Sequence, residues 1–140
     1  MRPYPIGTMA AYYWYGIEYN VFPIDLAQHW AGVIGRSNQA SAEIAQVARA
    51  NGRAEVLQAL RNAITADTDL ADIGRSLFGY ISDELGAGKI GIREALRAAS
   101  QIAASTGQSK EVSDTLERVQ DAYFRFVEDS IRVLSVLSKG

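Results

Sequence analysis

Residues Ala10–Pro23 read AAYYWYGIEYNVFP, and they concentrate aromatic side chains near the start of the chain. Of the 13 aromatic residues in the sequence, eight lie within the first 30 positions. Prolines and a glycine before the stretch disfavour a regular start, and a proline ends it. Nearly every position from 9 to 20 is apolar, so periodicity does not separate a short helix from an extended segment. We therefore define residues 1–23 as an aromatic N-terminal arm.

The sequence leaves two roles open for this arm. An exposed aromatic segment is a liability on an isolated monomer, because it leaves apolar surface in water. The arm either folds back over its own bundle or straps across a neighbouring subunit, where each large aromatic would bury roughly 150–250 Å². Under the second alternative, the predicted interface residues of the arm are Tyr12, Tyr13, Trp14 and Tyr15.

Composition excludes several classes of protein. The chain has 140 residues, 48% of them apolar and 21% charged, as expected for one globular domain with a real core. Its net charge of -2 argues against a generally basic nucleic-acid binder. It has no cysteine and one histidine, so disulfides, thiolate metal sites and multi-histidine sites are excluded within one chain. The longest early uncharged run, residues 3–17, is too short to span a bilayer, and we expect no targeting segment.

The remainder of the chain predicts an all-α fold. Residues 24–66 read as helical segments interrupted near positions 35–38 and 51–52, and they are either separate or pieces of one long, kinked helix. Residues 67–140 read as a compact helix bundle, because apolar side chains recur every three or four positions. The predicted helices of that bundle cover residues 69–85, 90–105 and 110–138.

The last predicted helix has two apolar stripes. A predicted core stripe consists of Val112, Leu116, Val119, Tyr123 and Phe126, and Val133 extends it. A second stripe appears beyond residue 122, formed by Phe124, Val127, Ile131 and Leu134. A helix that is apolar on two faces is buried on two sides. We therefore predict that Phe124, Val127 and Ile131 meet the arm or a second chain.

Arginine is the only cation in the first half of the chain, since the first lysine is Lys89. Between residues 26 and 66 there are four arginines and only two acids. A guanidinium group suits phosphate, and Arg49 and Arg53, four positions apart, are predicted to share a helical face. The alternative is a solvated helix face with no ligand. The predicted phosphate-binding residues are Arg36, Arg49, Arg53 and Arg61.

No motif supports catalysis. Gly86-Ala87-Gly88-Lys89 departs from a phosphate-binding loop, which needs a further glycine where Asp83 stands and Ser or Thr where Ile90 stands. Asp25 and His29 are four apart, but no nucleophile accompanies them in a recognisable context. We expect no catalytic residue, no metal, no cofactor and no small-molecule substrate, and hence no enzyme.

The layout resembles a known family. An aromatic arm precedes a long arginine-bearing helical region, and a helix then leads through Leu85-Gly86-Ala87-Gly88 into an Ala/Leu-rich amphipathic helix. This order is similar to that of the major coat proteins of filamentous archaeal viruses, of both the naked rod-shaped and the lipid-enveloped kinds. The resemblance implies an arm and helices that wrap around double-stranded DNA in A-form, with the C-terminal bundle outside. The arm departs from a basic arm, since it holds only Arg2, so the expected DNA contacts move to the four later arginines.

Two functions remain as hypotheses. The first is a structural subunit of a helical nucleoprotein filament, a viral major coat protein that wraps double-stranded DNA through sequence-independent phosphate contacts. Its partners would be copies of itself, with or without a paralogous subunit and a lipid envelope, and its location the virion, assembled in the host cytoplasm. The alternative is a small bacterial helical interaction protein of the cytoplasm, such as a toxin-neutralising or secretion-associated factor. DNA and RNA are not distinguished by the sequence.

Overall fold

The computed structural model describes residues 5–36 and 42–139, and over these ranges the chain is all α-helical, as predicted. The predicted helices 69–85, 90–105 and 110–138 agree with the last three helices to within two residues at each end. In chain order the helices are α1 (Ile6–Glu18), α2 (Ile24–Ile34), α3 (Ala42–Arg49), α4 (Gly52–Ala63), α5 (Leu70–Gly86), α6 (Ile92–Ser105) and α7 (Lys110–Lys139).

The N-terminal arm belongs to the bundle from residue 6 onward. Its helix α1 packs against α4 and α5, and its small residues Gly7, Ala10 and Ala11 are buried there. A Cβ at Gly7 would overlap the side chain of Thr65, so glycine lets the two segments approach closely. Residues 6–18 of the arm therefore form a helix that packs on its own chain.

The chain reverses direction immediately after α1. Asn20 adopts a left-handed conformation with φ of 59°, which asparagine tolerates better than most residues. The backbone N–H of Val21 donates to the carbonyl oxygen of Gly16 at 2.7 Å. The ring of Phe22 then lies against Gly16, where a Cβ would overlap it. Glycine at position 16 is therefore what allows Phe22 to fold back onto α1.

Phe22 is the centre of an aromatic cluster that joins three helices. Its ring centroid lies 5.4 Å from Tyr12, 5.6 Å from Tyr13 and 5.2 Å from Tyr80. Tyr13 in turn lies 5.0 Å from Trp30 of α2. Such pairs contribute about 0.5–1.5 kcal/mol each beyond the area they bury. Burial, with smaller contributions from the neighbouring Tyr13 and Tyr80, raises the pKa of Tyr12 to about 12.

The described residues of the region 24–66 form three helices that pack on one another. The region is not one long, bent helix, because the chain breaks between α3 and α4, where Asn51 is extended and Gly52 has φ of 84°. The amide of Gln28 on α2 donates to the carbonyl oxygen of Ala50 at 2.8 Å, which satisfies a carbonyl group at the end of α3.

The last three helices follow in sequence, with α5 packed on α6 and α6 packed on α7. The turn between α6 and α7 docks on α5 through Gln108, whose amide donates to the carbonyl oxygen of Ala71 at 2.8 Å. Gly74 of α5 leaves room for this side chain, since a Cβ there would overlap it. The hydroxyl groups of Tyr19 and Ser105 are hydrogen-bonded, which ties the end of α1 to the end of α6.

The predicted core stripe of α7 is correct only in part, because Leu116 packs against the core but the stripe as a whole is not buried. None of the described residues of α7 is buried. Leu116 and Tyr123 are half-buried, whereas Val119, Phe126 and Val133 are 45%, 68% and 56% exposed. Phe126 and Val133 lie beyond the end of α6, whereas Val119 lies alongside α6 but faces away from it.

Replacement of Gly16 by alanine tests the turn after α1. The added Cβ would overlap the Phe22 ring, and we expect a loss of about 1–3 kcal/mol in the free energy of unfolding. Gly79, in the middle of α5, is the matched control, because a Cβ there meets no atom within 4 Å. Gly79→Ala should leave stability unchanged or raise it by up to about 1 kcal/mol. Equal effects of the two substitutions in urea denaturation would contradict the role of Gly16.

The raised pKa of Tyr12 predicts a loss of stability in alkali. The unfolded chain releases the Tyr12 proton near its ordinary pKa of 10.0, whereas the folded chain keeps it until about pH 12. The unfolded state therefore binds fewer protons between these values, and the free energy of unfolding should fall as pH rises through them. Tyr12→Phe should flatten that fall when denaturation is followed at pH 9, 10 and 11. An unchanged slope in the variant would show that Tyr12 does not contribute.

Candidate assembly and nucleic-acid interface

Helix α7 is about twice as long as the helix that supports it. Its 30 residues extend roughly 45 Å at ~1.5 Å per residue, whereas α6 has only 14 residues. The two helices are antiparallel, since Ala103 lies beside Leu116 and Arg93 lies beside Phe124. The first residues of α6 therefore lie beside residue 124 of α7, and α7 continues beyond that end of α6. We call residues 125–139 the projecting segment.

The projecting segment carries large apolar side chains into solvent. Phe126 and Leu137 are 68% and 69% exposed, among the most exposed large apolar side chains of the described ranges. In helical projection at 100° per residue, the apolar positions of this segment cover about half of the cylinder. The exposed large apolar residues of the segment are Phe126, Ile131, Val133, Leu134, Val136 and Leu137.

The opposite side of α7 is charged in a regular pattern. Acidic residues recur every seven positions at Asp114, Asp121 and Glu128. A basic residue follows each of them by four positions, a spacing and an order that favour ion pairing on a helix. Arg132 also lies 3.6 Å from Asp129. On one side of α7, acidic and basic residues are therefore spaced to pair with each other. The other side is apolar and uncharged.

The predicted interface residues fall into two groups in the structure. On α7, Phe124 and Ile131 are 51% and 63% exposed, and Val127 is half-buried. On α1, all four predicted residues are half-buried within their own bundle. Tyr12 and Tyr13 belong to the cluster around Phe22, and Trp14 packs edge-on against Tyr15 at 4.8 Å. Phe124 and Ile131 are therefore more exposed than the four α1 residues, which already pack against their own bundle.

Two of the four predicted phosphate-binding arginines are engaged within the chain. The Arg53 guanidinium donates to the carbonyl oxygens of Ile17 and Glu18 at 3.2 and 3.0 Å. These groups end α1, where a cation is favourable because of the helix dipole. Arg61 lies 6.0 Å from the centre of the Trp14 ring, and its charge opposes the effect of burial, which raises the pKa of Tyr15.

The other two predicted arginines are differently placed. Arg36 follows α2 and Arg49 ends α3, and both are exposed. Neither guanidinium group forms an ion pair with any of the residues that the structure describes. The prediction that Arg49 and Arg53 share a helical face is wrong, because the break at residues 50–51 puts them on different helices.

Sequence reasoning did not single out a second pair of arginines, Arg93 and Arg97. They line a polar cleft of about 260 Å³ together with Tyr19 and Gln101. Both arginines are exposed, and neither is ion-paired within residues 5–36 and 42–139. The spacing of four positions between Arg93 and Arg97 is visible in the sequence, whereas the approach of Tyr19 to α6 is not.

None of the described helices combines the length and the apolar content that crossing a bilayer requires. No protein-family model matches this chain, and no curated protein and no solved structure matches it either. What the protein does is therefore inferred from its own surface, on which the two notable features are the projecting segment and the unpaired arginines.

Proposed function

We propose that this chain is a structural subunit that assembles with further copies into a helical nucleoprotein filament around double-stranded DNA. The observation that carries this proposal is the projecting segment of α7. Soluble monomers rarely expose a contiguous apolar patch larger than a few hundred Å², and larger patches mark interaction sites. Here six large apolar side chains share one helical segment, and each is more than half exposed.

The total surface of the chain supports an assembled state. The accessible surface is 9115 Å² for a mass of 15.2 kDa. A compact monomer of this mass exposes about 7,100 Å². The projecting segment contributes to the surplus, and association with other subunits is the direct way to remove its apolar part from water.

The arginines support the nucleic-acid part of the proposal. The net charge of -2 requires that phosphate contacts come from a local group of cations. Arg36 and Arg49 are exposed and unpaired among the described side chains, so they keep all their donors for a ligand. Arg93 and Arg97 add a second pair beside a polar cleft. We expect Arg53 and Arg61 to contribute less to phosphate binding, because each already has a partner on α1.

The layout adds a second line of support, since it resembles the major coat proteins of filamentous archaeal viruses. Under this proposal the protein resides in the virion, and α7 lies between subunits. The rival proposal is a small helical interaction protein that uses the same apolar helix to hold one unlike partner. The two differ in what the purified chain does alone and with DNA.

Titration with duplex DNA tests the proposed function. Each arginine–phosphate contact releases counterions, so the logarithm of the association constant should fall with the logarithm of salt by about 0.9 per contact. Arg49→Ala should reduce that slope by about one unit without altering sequence preference. Arg75→Ala is the matched control, because Arg75 is already paired with Asp72 at 3.3 Å, and it should leave the slope unchanged.

Electron microscopy of the same mixtures provides the second readout. The proposal predicts filaments of the wild-type chain with DNA at low salt. A chain that stays monomeric and leaves DNA unbound at low salt would contradict the proposal and favour the rival. Equal slopes for Arg49→Ala and the wild type, with filaments present, would remove Arg49 from the phosphate contacts and leave assembly standing.

A further inference from the structure

We infer that α7 pairs in antiparallel orientation with α7 of a second copy, about a two-fold axis near Phe126. The inference rests on the proposed assembly and adds the occupant of the apolar face, the direction of pairing and the register. It uses the side of α7 that α6 leaves uncovered, together with the distribution of charge along the helix.

The apolar spacing of α7 is that of a coiled coil. Apolar positions alternate at intervals of four and three from Val112 to Phe126 and return at Val133 and Leu137, which gives a seven-residue repeat with serine at position 130. Within this repeat Val119, Phe126 and Val133 are seven positions apart, and they are 45%, 68% and 56% exposed. Residues seven apart lie nearly above one another on a helix. They form a single exposed line that runs beside the α6 contact and on into the projecting segment.

A second copy of α7 is the occupant that fits this line. The line extends about 21 Å, from Val119 to Val133 at ~1.5 Å per residue, so an extended partner helix is needed to cover it. A two-fold axis lets one patch serve both partners, which is the commonest arrangement in homodimers. Val119, Phe126 and Val133 are 45%, 68% and 56% exposed, so pairing would remove the apolar surface of this line from water on both partners.

Charge favours the antiparallel orientation. Residues 110–124 contain two basic and four acidic residues, whereas residues 125–139 contain three basic and two acidic residues. Antiparallel pairing sets the acidic half of one helix against the basic half of the other, and it also opposes the two helix dipoles. Parallel pairing would set like halves together. It would also crowd the two bundles, because each bundle packs on the first half of its own α7.

The orientation defines the layers of the interface. With the axis at Phe126, this residue faces its own copy in the other chain. Val119 of one chain then faces Val133 of the other, because each is seven positions from the axis. In a parallel pair, by contrast, each of these positions would face its own copy.

Single-cysteine variants test this register directly, because the chain contains no native cysteine. A disulfide needs Cα atoms within about 7 Å. Val119→Cys and Val133→Cys should each give little crosslinked dimer alone, since like positions lie about 21 Å apart along the axis. Under mild oxidation a mixture of the two variants should give several-fold more dimer than either alone, and Phe126→Cys should crosslink with itself. Ser135→Cys, on the charged side of α7, is the control for random collision and should remain uncrosslinked.

The results that would contradict the antiparallel pairing can be told apart from those that would contradict the proposed function. Crosslinking of Val119→Cys alone and of Val133→Cys alone, as efficient as that of their mixture, would show parallel pairing and overturn the inference. Both chains in the mixture of Val119→Cys and Val133→Cys retain Phe126. The crosslinking of this mixture therefore tests the register even where Phe126→Cys weakens the interface. Multimers in light scattering without any crosslink would overturn the pairing and leave the proposed function intact. Monomers at every concentration would overturn the pairing, and monomers that also leave DNA unbound at low salt would overturn both.

Discussion

The contact between Phe22 and Gly16 is the one on which the arrangement of the bundle depends. Because residue 16 has no side chain, the Phe22 ring can lie on α1, and the chain turns back through Asn20. The same ring then contacts Tyr80 of α5, so that an aromatic segment at the chain start becomes part of the core. With α1 held in this way, α4 can place Arg53 at its end and Arg61 over Trp14.

The sequence predicted the helices in which apolar residues recur with a helical period. It left open the conformation of residues 9–20, which are almost uniformly apolar. The periodic spacing of α5, α6 and α7 identifies each as a helix, because apolar residues recur every three or four positions along it. Residues 9–20 lack such contrast, since tyrosine and alanine suit both buried and half-buried positions. The fold of α1 depends instead on small residues that meet Thr65 and Phe22, and these partners lie beyond any local pattern.

The residue types of the candidate site were predictable from the sequence. The contacts that these residues make within the fold were less predictable. Spacing showed that α7 is apolar on more than one side, yet it assigned the Val119–Val133 side to the core, because a sequence does not state which side of α7 meets α6 or how far α6 extends. Likewise, arginine content pointed to phosphate, but the role of Arg53 at the end of α1 requires two helices to meet. The structure thus separates Arg53 and Arg61, which contact α1, from Arg36 and Arg49, which are exposed and form no ion pair with a described residue.

Self-association through the exposed apolar side of α7 is the central claim, and the mass of the chain in solution tests it most directly. Sedimentation equilibrium of the wild-type chain, over a range of concentrations, should give a mass that rises above 15.2 kDa. The double variant Phe126→Ser/Val133→Ser should remain near the monomer mass while keeping its helical circular dichroism spectrum, because both side chains lie on the pairing line and neither is buried in the bundle. A wild-type mass of one subunit at every concentration, or a variant that loses helicity together with association, would contradict the account.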